Sequence, residues 1–588
     1  MHSRLVFACL TQAFFFSLVT ASPHLKHEPR EEALSAPKRC HSPSNRACWT
    51  DGFDINTDWE AKVPETGVTR EYTFTLTEVD NYVGADGQVK EKAMLINDQF
   101  PGPTVVADWG DLVKITVINN LRHNGTSIHW HGIRHLNRNT HDGVPGVTEC
   151  PIPPKGRKTY TFLATQYGTS WYHSHYSSQY ANGVAGSILI HGPASLPYDI
   201  DLGVFPISDW YYGSADNIFH RVNDPTNPFI PGAPGSPPAS SNIFFNGTNV
   251  SPSGQKPGGA YAKVVLTPGK RHLLRIINPS VENTFTVSIV GHSMTVVATD
   301  FVPVNAYTTH HLFLGVGARY DVTIDASQPV DNYWINATLS GTRACGRSEN
   351  PHPAAILKYA GADDNKNPTD PGIAPPDSFC ADQTDFVPIV QRTVPKTLFL
   401  DDQSVQDIEL AVTLQVDAEQ SKVFWKVNGS AIDVSWEEPT LEFVKTGNTS
   451  YPVRENVITI PEKSEGHDFF ILGRSTAPEN PLAPGTGPVT FNQETDVEAL
   501  RFDNPPRRDA TMLPSFGWVA IAFKNDNPGA WLFHCHVAWH VGQGLSVIYL
   551  EKLGEIPKVM DLNELEGNCK AWREYEPTNP FPKPDSGL

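Results

Sequence analysis

The sequence predicts an all-β fold of three consecutive Greek-key barrels or sandwiches, and three observations carry that expectation. Short runs that alternate apolar and polar residues recur from end to end, separated by turns drawn from 50 Pro and 44 Gly. One such run occurs three times with the same pattern. The length of 588 residues also exceeds what one hydrophobic core supports, so that at about one domain per 150 residues three or four domains are expected.

From the N-terminus, residues 1–21 read as a secretory signal. His2 and Arg4 precede the apolar run Leu5 to Val19, and Val19-Thr20-Ala21 has the small-residue spacing of a cleavage site. Residues 22–39 are charged, contain Pro and end in Lys38-Arg39, as a propeptide cut at a dibasic site would. The expected domains then span 40–195, 196–380 and 381–588, with limits in the Pro-containing stretches Gly192-Pro193 and Pro375-Pro376. A net charge of -19 leaves no basic patch for nucleic acid. Beyond the N-terminus no apolar run approaches the roughly 20 residues of a membrane helix, so a soluble, secreted, extracellular protein is expected.

Of eight cysteines, Cys9 leaves with the signal and Cys535 stands in a histidine-rich strand. Cys40, Cys48, Cys150, Cys345, Cys380 and Cys569 remain for three disulfides, with their connectivity open. Sequons at Asn124, Asn246, Asn249, Asn336, Asn428 and Asn448 agree with a secreted glycoprotein.

The recurring strand is Gly110-Asp111-Leu112-Val113-Lys114-Ile115-Thr116-Val117-Ile118-Asn119. It returns as Gly269 to Asn278 and, shortened, as Gly517 to Asn525. Further on, Trp171-Tyr172-His173-Ser174-His175 followed by Gly183-Val184 parallels Leu532-Phe533-His534-Cys535-His536 followed by Gly544-Leu545. Ser174 then stands where Cys535 stands, and Gln179 where His540 stands. The middle unit has Tyr333-Trp334-Ile335-Asn336-Ala337-Thr338 at the comparable place, with no histidine, and is expected to be metal-free.

Side chains at i and i+2 of a strand share a face, so His534 and His536 can serve one metal site while Cys535, pointing the other way, serves a second with His540. A thiolate with imidazoles suits copper, and two sites joined by a few covalent bonds suit electron transfer. Random placement of 22 His among 588 positions gives about 0.8 His-x-His pairs. Three occur, His129-Trp130-His131, His173-Ser174-His175 and His534-Cys535-His536, all in apolar, aromatic strand contexts.

On these residues the chain resembles the multicopper oxidases, and among them the ascomycete laccases. The resemblance is carried by Ser44 to Phe53, Ser127-Ile128-His129-Trp130-His131-Gly132, the 169–175 segment, the His534 to Leu545 block and the terminal Asp585-Ser586-Gly587-Leu588, which looks like a processed tail that enters the channel towards the copper cluster. It implies three cupredoxin domains holding four copper ions: one type 1, one type 2 and two type 3. It implies Cys535 and His540 as type 1 ligands, His129 as the type 2 ligand, and His131, His173, His175, His534 and His536 as type 3 ligands. Leu545 takes the axial place, where a side chain without a donor should raise the reduction potential. Asp209 matches the carboxylate that takes a phenolic proton, its plain alternative being a solvated surface Asp. Asp142 matches the acid that assists proton delivery to oxygen, its plain alternative being a turn residue before Gly143. The implied disulfides are Cys40–Cys48, Cys150–Cys569 and Cys345–Cys380. The implied activity is one-electron oxidation of phenols, in lignin-related, pigment or secondary-metabolite chemistry, coupled to reduction of dioxygen to water, by a monomer that engages neither membrane nor nucleic acid.

The chain departs from the family at one place. A motif of the form His-Pro-x-His-Leu-His-Gly-His is expected in the third domain, and Ile458-Thr459-Ile460-Pro461-Glu462-Lys463-Ser464-Glu465-Gly466-His467-Asp468 stands there instead. Without a gap, Ile460, Lys463 and Glu465 would fall on ligand positions that none of them can fill well. With a gap, a strand and its loop are missing, the type 1 site keeps Cys535 and His540 only, the trinuclear site loses two of eight ligands, and His467 is a spare imidazole at a position that is not a ligand in relatives. Two explanations remain open. Either a coding segment is left out of the sequence and the protein is an ordinary laccase, or the chain is as written and is a copper-binding or structural glycoprotein with impaired oxidase activity. A metal-ion or ascorbate oxidase of the same superfamily is a third reading, against which Leu545 and the tail speak.

Overall fold

The computed structural model describes residues 39–230, 233–340, 345–397, 409–417, 419–460, 469–476, 488–581 and 583–588. The expected signal and nearly all of the expected propeptide lie outside the described residues, as do 461–468. Among the described residues no helix is long and apolar enough to cross a membrane.

Alternation makes the strands. In Leu112–Asn119 the side chains of Val113, Ile115 and Val117 are buried and Lys114 points to solvent, and the relatives expected from the repeat, Arg271–Ile277 and Val519–Ala522, are strands too. The protein is all-β, as the sequence predicts, and each third of it repeats one sheet unit. An edge strand runs parallel to a central strand, which pairs antiparallel with the next. In the first third these are Gly102–Asp108, Ala185–His191 and Gly168–His173, with His129–Trp130 paired on the far side. In the second third Lys263–Leu266, Ala354–Tyr359 and Asn332–Thr338 form the unit, and Phe285–Ile289 and His311–Leu314 extend it.

The last third repeats the unit with Val457–Thr459, Ser546–Glu551 and Gly529–His534. Among the described residues no strand pairs with the outer edge of Gly529–His534, where the first third has His129–Trp130. The vacancy shows in the packing. Gly168–His173 is buried throughout, whereas Phe533 is 38% exposed and Tyr172, its counterpart, 0%. Covering the exposed part of Phe533 would contribute roughly 1 kcal/mol. All four residues of Val519–Ala522 are likewise only half-buried. The first two thirds each hold one large apolar cluster, whereas the described residues of the last third divide among clusters around Trp572, Tyr549 and Phe470.

All three disulfides implied by the resemblance are formed, and Cys535 is free. The bond Cys150–Cys569 ties the C-terminal helix Glu564–Tyr575 to the first third. One sequon is closed to modification in the folded chain. Asn249 is fully buried and its amide donates to the Ile243 carbonyl at 2.7 Å, whereas Asn246, Asn428 and Asn448 are exposed.

Candidate metal centre

Four histidines from the two equivalent strand ends, His173, His175, His534 and His536, meet His129 and His131 from the strand His129–Trp130 and the turn after it. The Nε2 atoms of His175 and His534 lie 3.4 Å apart, and His536 Nε2 lies 3.2 Å from His131 Nδ1. Nitrogens of His129, His131 and His173 all fall within 4.8 Å of one another. The repeat explains the symmetry. His173 Nδ1 is 3.0 Å from the Ser174 carbonyl and His534 Nδ1 is 2.8 Å from the Cys535 carbonyl, so in both strands the following peptide holds one ring nitrogen and leaves the other free to face the cluster. His129 is held in the same way by the Asp142 carbonyl at 2.9 Å.

Burial drives His131, His173, His175 and His536 well below the usual histidine range, helped by the neighbouring rings, and brings His534 down to about 4. Neutral imidazoles are the ligand state. His129 goes the other way: burial opposes its charge, but the Asp142 carboxylate 3.2 Å from Nδ1 prevails and raises it. His173 Nε2 is buried with no hydrogen-bond partner, which leaves a lone pair for a cation.

The structure brings Cys535, His540 and Leu545 together on the other face. Cys535 Sγ is 3.6 Å from His540 Nδ1, the Leu545 amide donates to the His540 carbonyl at 3.0 Å, and the Cys535 amide donates to the Leu545 carbonyl at 3.1 Å. The Trp425 ring lies 4.7 Å from that of His540. Burial pushes the Cys535 thiol up to about 11 and His540 down to about 4, so a bound cation is what would favour the thiolate here.

Of the two carboxylates singled out in the sequence, Asp142 sits against His129 as described. Asp209 is buried and accepts four N–H bonds, from the amides of Val281 at 2.8 Å, Glu282 at 3.0 Å and Asn283 at 3.0 Å, and from Asn283 Nδ2 at 3.0 Å. It anchors the 281–283 loop. The carboxylate that sequence reasoning missed is Glu282, half-buried on that loop, with the Tyr211 hydroxyl 3.3 Å from Oε2. Burial pushes its carboxyl up to about 8, and the Asp209 charge adds to the shift. The Ala538 amide donates to the Val281 carbonyl at 2.9 Å, which joins the Glu282 loop to the helix Ala538–Gly542 that carries His540. No motif marks Glu282 in the sequence, since only the fold brings residues 281–283 to that helix.

The C-terminal residues lie where the resemblance implies. Leu588 is 1% exposed and lines one cavity with His173, His175, His534 and His536. Trp436 Nε1 donates to the Gly587 carbonyl at 2.9 Å and Ser586 Oγ to the Val541 carbonyl at 2.8 Å. Burial lifts the Asp585 carboxyl to about 6, with Ser177 Oγ donating to it.

The retained donors fit copper: converging neutral imidazoles in one site and a thiolate–imidazole pair in the other. Of the positions at the departure, Ile460 continues the strand Val457–Thr459, its amide donating to the Leu550 carbonyl at 2.9 Å and its side chain buried with Val427, Val547 and Tyr549. That placement supports a gap after the strand over an ungapped alignment. Lys463, Glu465 and His467 lie outside the described residues.

Sequence models described as multicopper oxidase match residues 79–195, 201–362 and 464–555. Laccase-1 of Melanocarpus albomyces is 54% identical over 576 aligned positions, covering 93% of this chain and 89% of that protein. Laccase-2 of Podospora anserina is 50% identical, covering 97% and 94%. Among solved structures, the laccase from Botrytis aclada superposes with a TM-score of 0.82 at 35% identity, covering 94% of this chain and all of that one. The 576 positions shared with the Melanocarpus protein take in only 93% of 588 residues, so about thirty of them face no residue here. Nothing in these comparisons favours a disabled scaffold. The chain belongs to the multicopper oxidase family, as a laccase-type member whose cofactors are copper ions.

Proposed function

We propose that this chain removes single electrons from phenolic substrates beside His540 and delivers them to dioxygen at the histidine cluster, as a secreted monomer. The observation that carries the reading is the placement of Glu282. Its carboxyl, raised to about 8, sits on a loop bonded to the helix that bears His540. In this reading Cys535 and His540 would hold the type 1 ion beside Leu545, His129 would hold the type 2 ion, and His131, His173, His175, His534 and His536 would hold the type 3 pair. Bound copper supplies the one-electron redox chemistry.

The chain's own residues do the rest. A phenol of pKa about 10 gives up an electron more readily as it loses its proton, and Glu282 accepts that proton at a pKa close to working pH. Asp209 holds the Glu282 loop in place through its four N–H bonds. The peptide units from Cys535 to His534 and to His536 are the covalent link between the two sites. Asp142, its carboxylate 3.2 Å from His129, is placed to pass protons towards the cluster, where reduction of dioxygen to two waters consumes four. Three formed disulfides support an oxidising, extracellular setting. The three sheet units support domain limits near 195 and 380.

Oxygen uptake by the copper-loaded protein with 2,6-dimethoxyphenol tests the reading. The expected result is one dioxygen consumed per four phenols, without hydrogen peroxide. Absence of uptake, or peroxide as the product, overturns it.

A further inference from the structure

Among the described residues the middle third contributes no histidine to the cluster, yet two of its residues reach it. Gly317 approaches so closely that a Cβ there would lie 3.1 Å from His131 Cε1 and 3.2 Å from His536 Cδ2, and its φ of +82° favours glycine in any case. Arg319, two residues on, is fully buried. Its Nε donates to the Thr169 carbonyl at 3.0 Å, in the strand that ends at His173, and its two terminal nitrogens form a bidentate pair with Asp509, the Nη2 to Oδ2 distance being 2.6 Å. Asp509 Oδ1 in turn lies 3.4 Å from His131 Nε2. The other nitrogen of that ring, Nδ1, faces His536.

The pair is embedded in further charge. Asp300 lies 3.5 Å from Arg319 and binds the buried Arg508 at 3.1 and 3.2 Å, and Arg508 also bonds the Tyr320 hydroxyl at 3.0 Å. Two guanidinium groups face two carboxylates, so the network is balanced and Asp509 has a fixed direction. Two buried cations drawn from different thirds of the chain are a costly way to fill space, and apolar residues of similar volume often serve stability as well. The 3.4 Å approach lacks hydrogen-bond geometry, so what it supplies is a fixed negative charge beside one ring nitrogen of His131, which apolar residues cannot supply and which biases the nitrogen that the cluster meets.

We propose that Arg319 and Asp509 are positioning residues for the copper cluster: Arg319 aims the Asp509 carboxylate at His131 Nε2, which fixes the ring with Nδ1 towards His536. Through this clamp the middle third sets the geometry of a site built by its neighbours. The inference rests on the reading of His131 as a cluster ligand.

Three variants separate the outcomes, read by copper per chain and by the rate at which a chelator removes copper, each relative to the unsubstituted protein, with the thermal midpoint of the copper-free chain as a fold control. His131→Ala must lower copper content if the ligand reading holds; if it does not, that reading fails. Asp509→Asn is expected to release copper about tenfold faster and to alter the paramagnetic resonance spectrum of the bound metal. The apolar double variant Arg319→Met, Asp509→Leu is expected to keep the copper-free thermal midpoint but not the slow copper release. Should His131→Ala lose copper while the double variant holds it as slowly released as the unsubstituted protein, the clamp is merely structural and the proposal falls.

Discussion

Ser174 donates a 2.7 Å hydrogen bond to Gln179 Oε1 in the first third of the chain, at the place where in the last third Cys535 Sγ lies 3.6 Å from His540 Nδ1. The two loops share their backbone scaffold, with the Ser174 amide bonded to the Val184 carbonyl at 3.0 Å and the Cys535 amide to that of Leu545 at 3.1 Å. One scaffold thus carries a hydroxyl–amide pair in one copy and a thiol–imidazole pair in the other. Cys535→Ser, which copies the first third, is expected to remove the intense visible absorption of the copper-loaded protein and its phenol oxidation while the histidine cluster still binds copper. Visible spectroscopy with metal analysis checks this, and an unchanged spectrum would place the second site elsewhere.

Glu282 gives a pH dependence. Its folded pKa of about 8 lies above the ordinary 4.5, so below pH 8 the carboxyl is mostly protonated and a poor base, and kcat/KM for a phenol rises as pH climbs through that value. Glu282→Gln is expected to lose that limb and about tenfold to a hundredfold in kcat/KM for phenols, with no loss for a donor that releases no proton, such as ferrocyanide. An equal loss for both donors would assign Glu282 a structural role.

Glu455 tests linkage in the last third. Its buried carboxyl is pushed up from 4.5 to about 7 by burial, so the folded state holds the proton more tightly than the unfolded chain. Stability is therefore full below about pH 4.5 and falls as pH rises towards 7, where the buried group must ionise. Glu455→Gln is expected to raise the thermal midpoint at pH 8 by about 2–4 °C and to leave it unchanged at pH 4. A gain of the same size at both values would disprove the linkage.

Glycopeptide mass spectrometry of secreted protein is expected to find Asn249 unmodified, because its side chain is buried and hydrogen-bonded to Ile243, with occupancy confined to sequons such as Asn246, Asn428 and Asn448. A glycan on Asn249 would contradict the packing.

Among the described residues no strand covers the outer edge of Gly529–His534, and Phe533 is exposed, which makes the segment after Ile460 the one to test. Tryptic mapping of the protein made by its native source reads this directly. The sequence as given yields the peptides Glu455–Lys463 and Ser464–Arg474. The expected result is a longer product that adds a histidine-bearing strand on that edge, and recovery of those two peptides would show that the edge is open in the working protein.

The sequence by itself determined the repeat, the strand alternation, the three His-x-His pairs and the His534 to Leu545 block, because period-two burial and i, i+2 geometry are local properties written in neighbouring residues. The disulfide partners came from resemblance, since six cysteines do not declare their pairing. Tertiary structure alone decided what Asp209, Glu282, Arg319 and Asp509 do. Each is an ordinary charged residue until chain segments up to several hundred residues apart are brought to it: four N–H groups around the first, the His540 helix beside the second, His131 against the pair. Burial and the direction of a charge are set by those distant partners, and no local pattern records them.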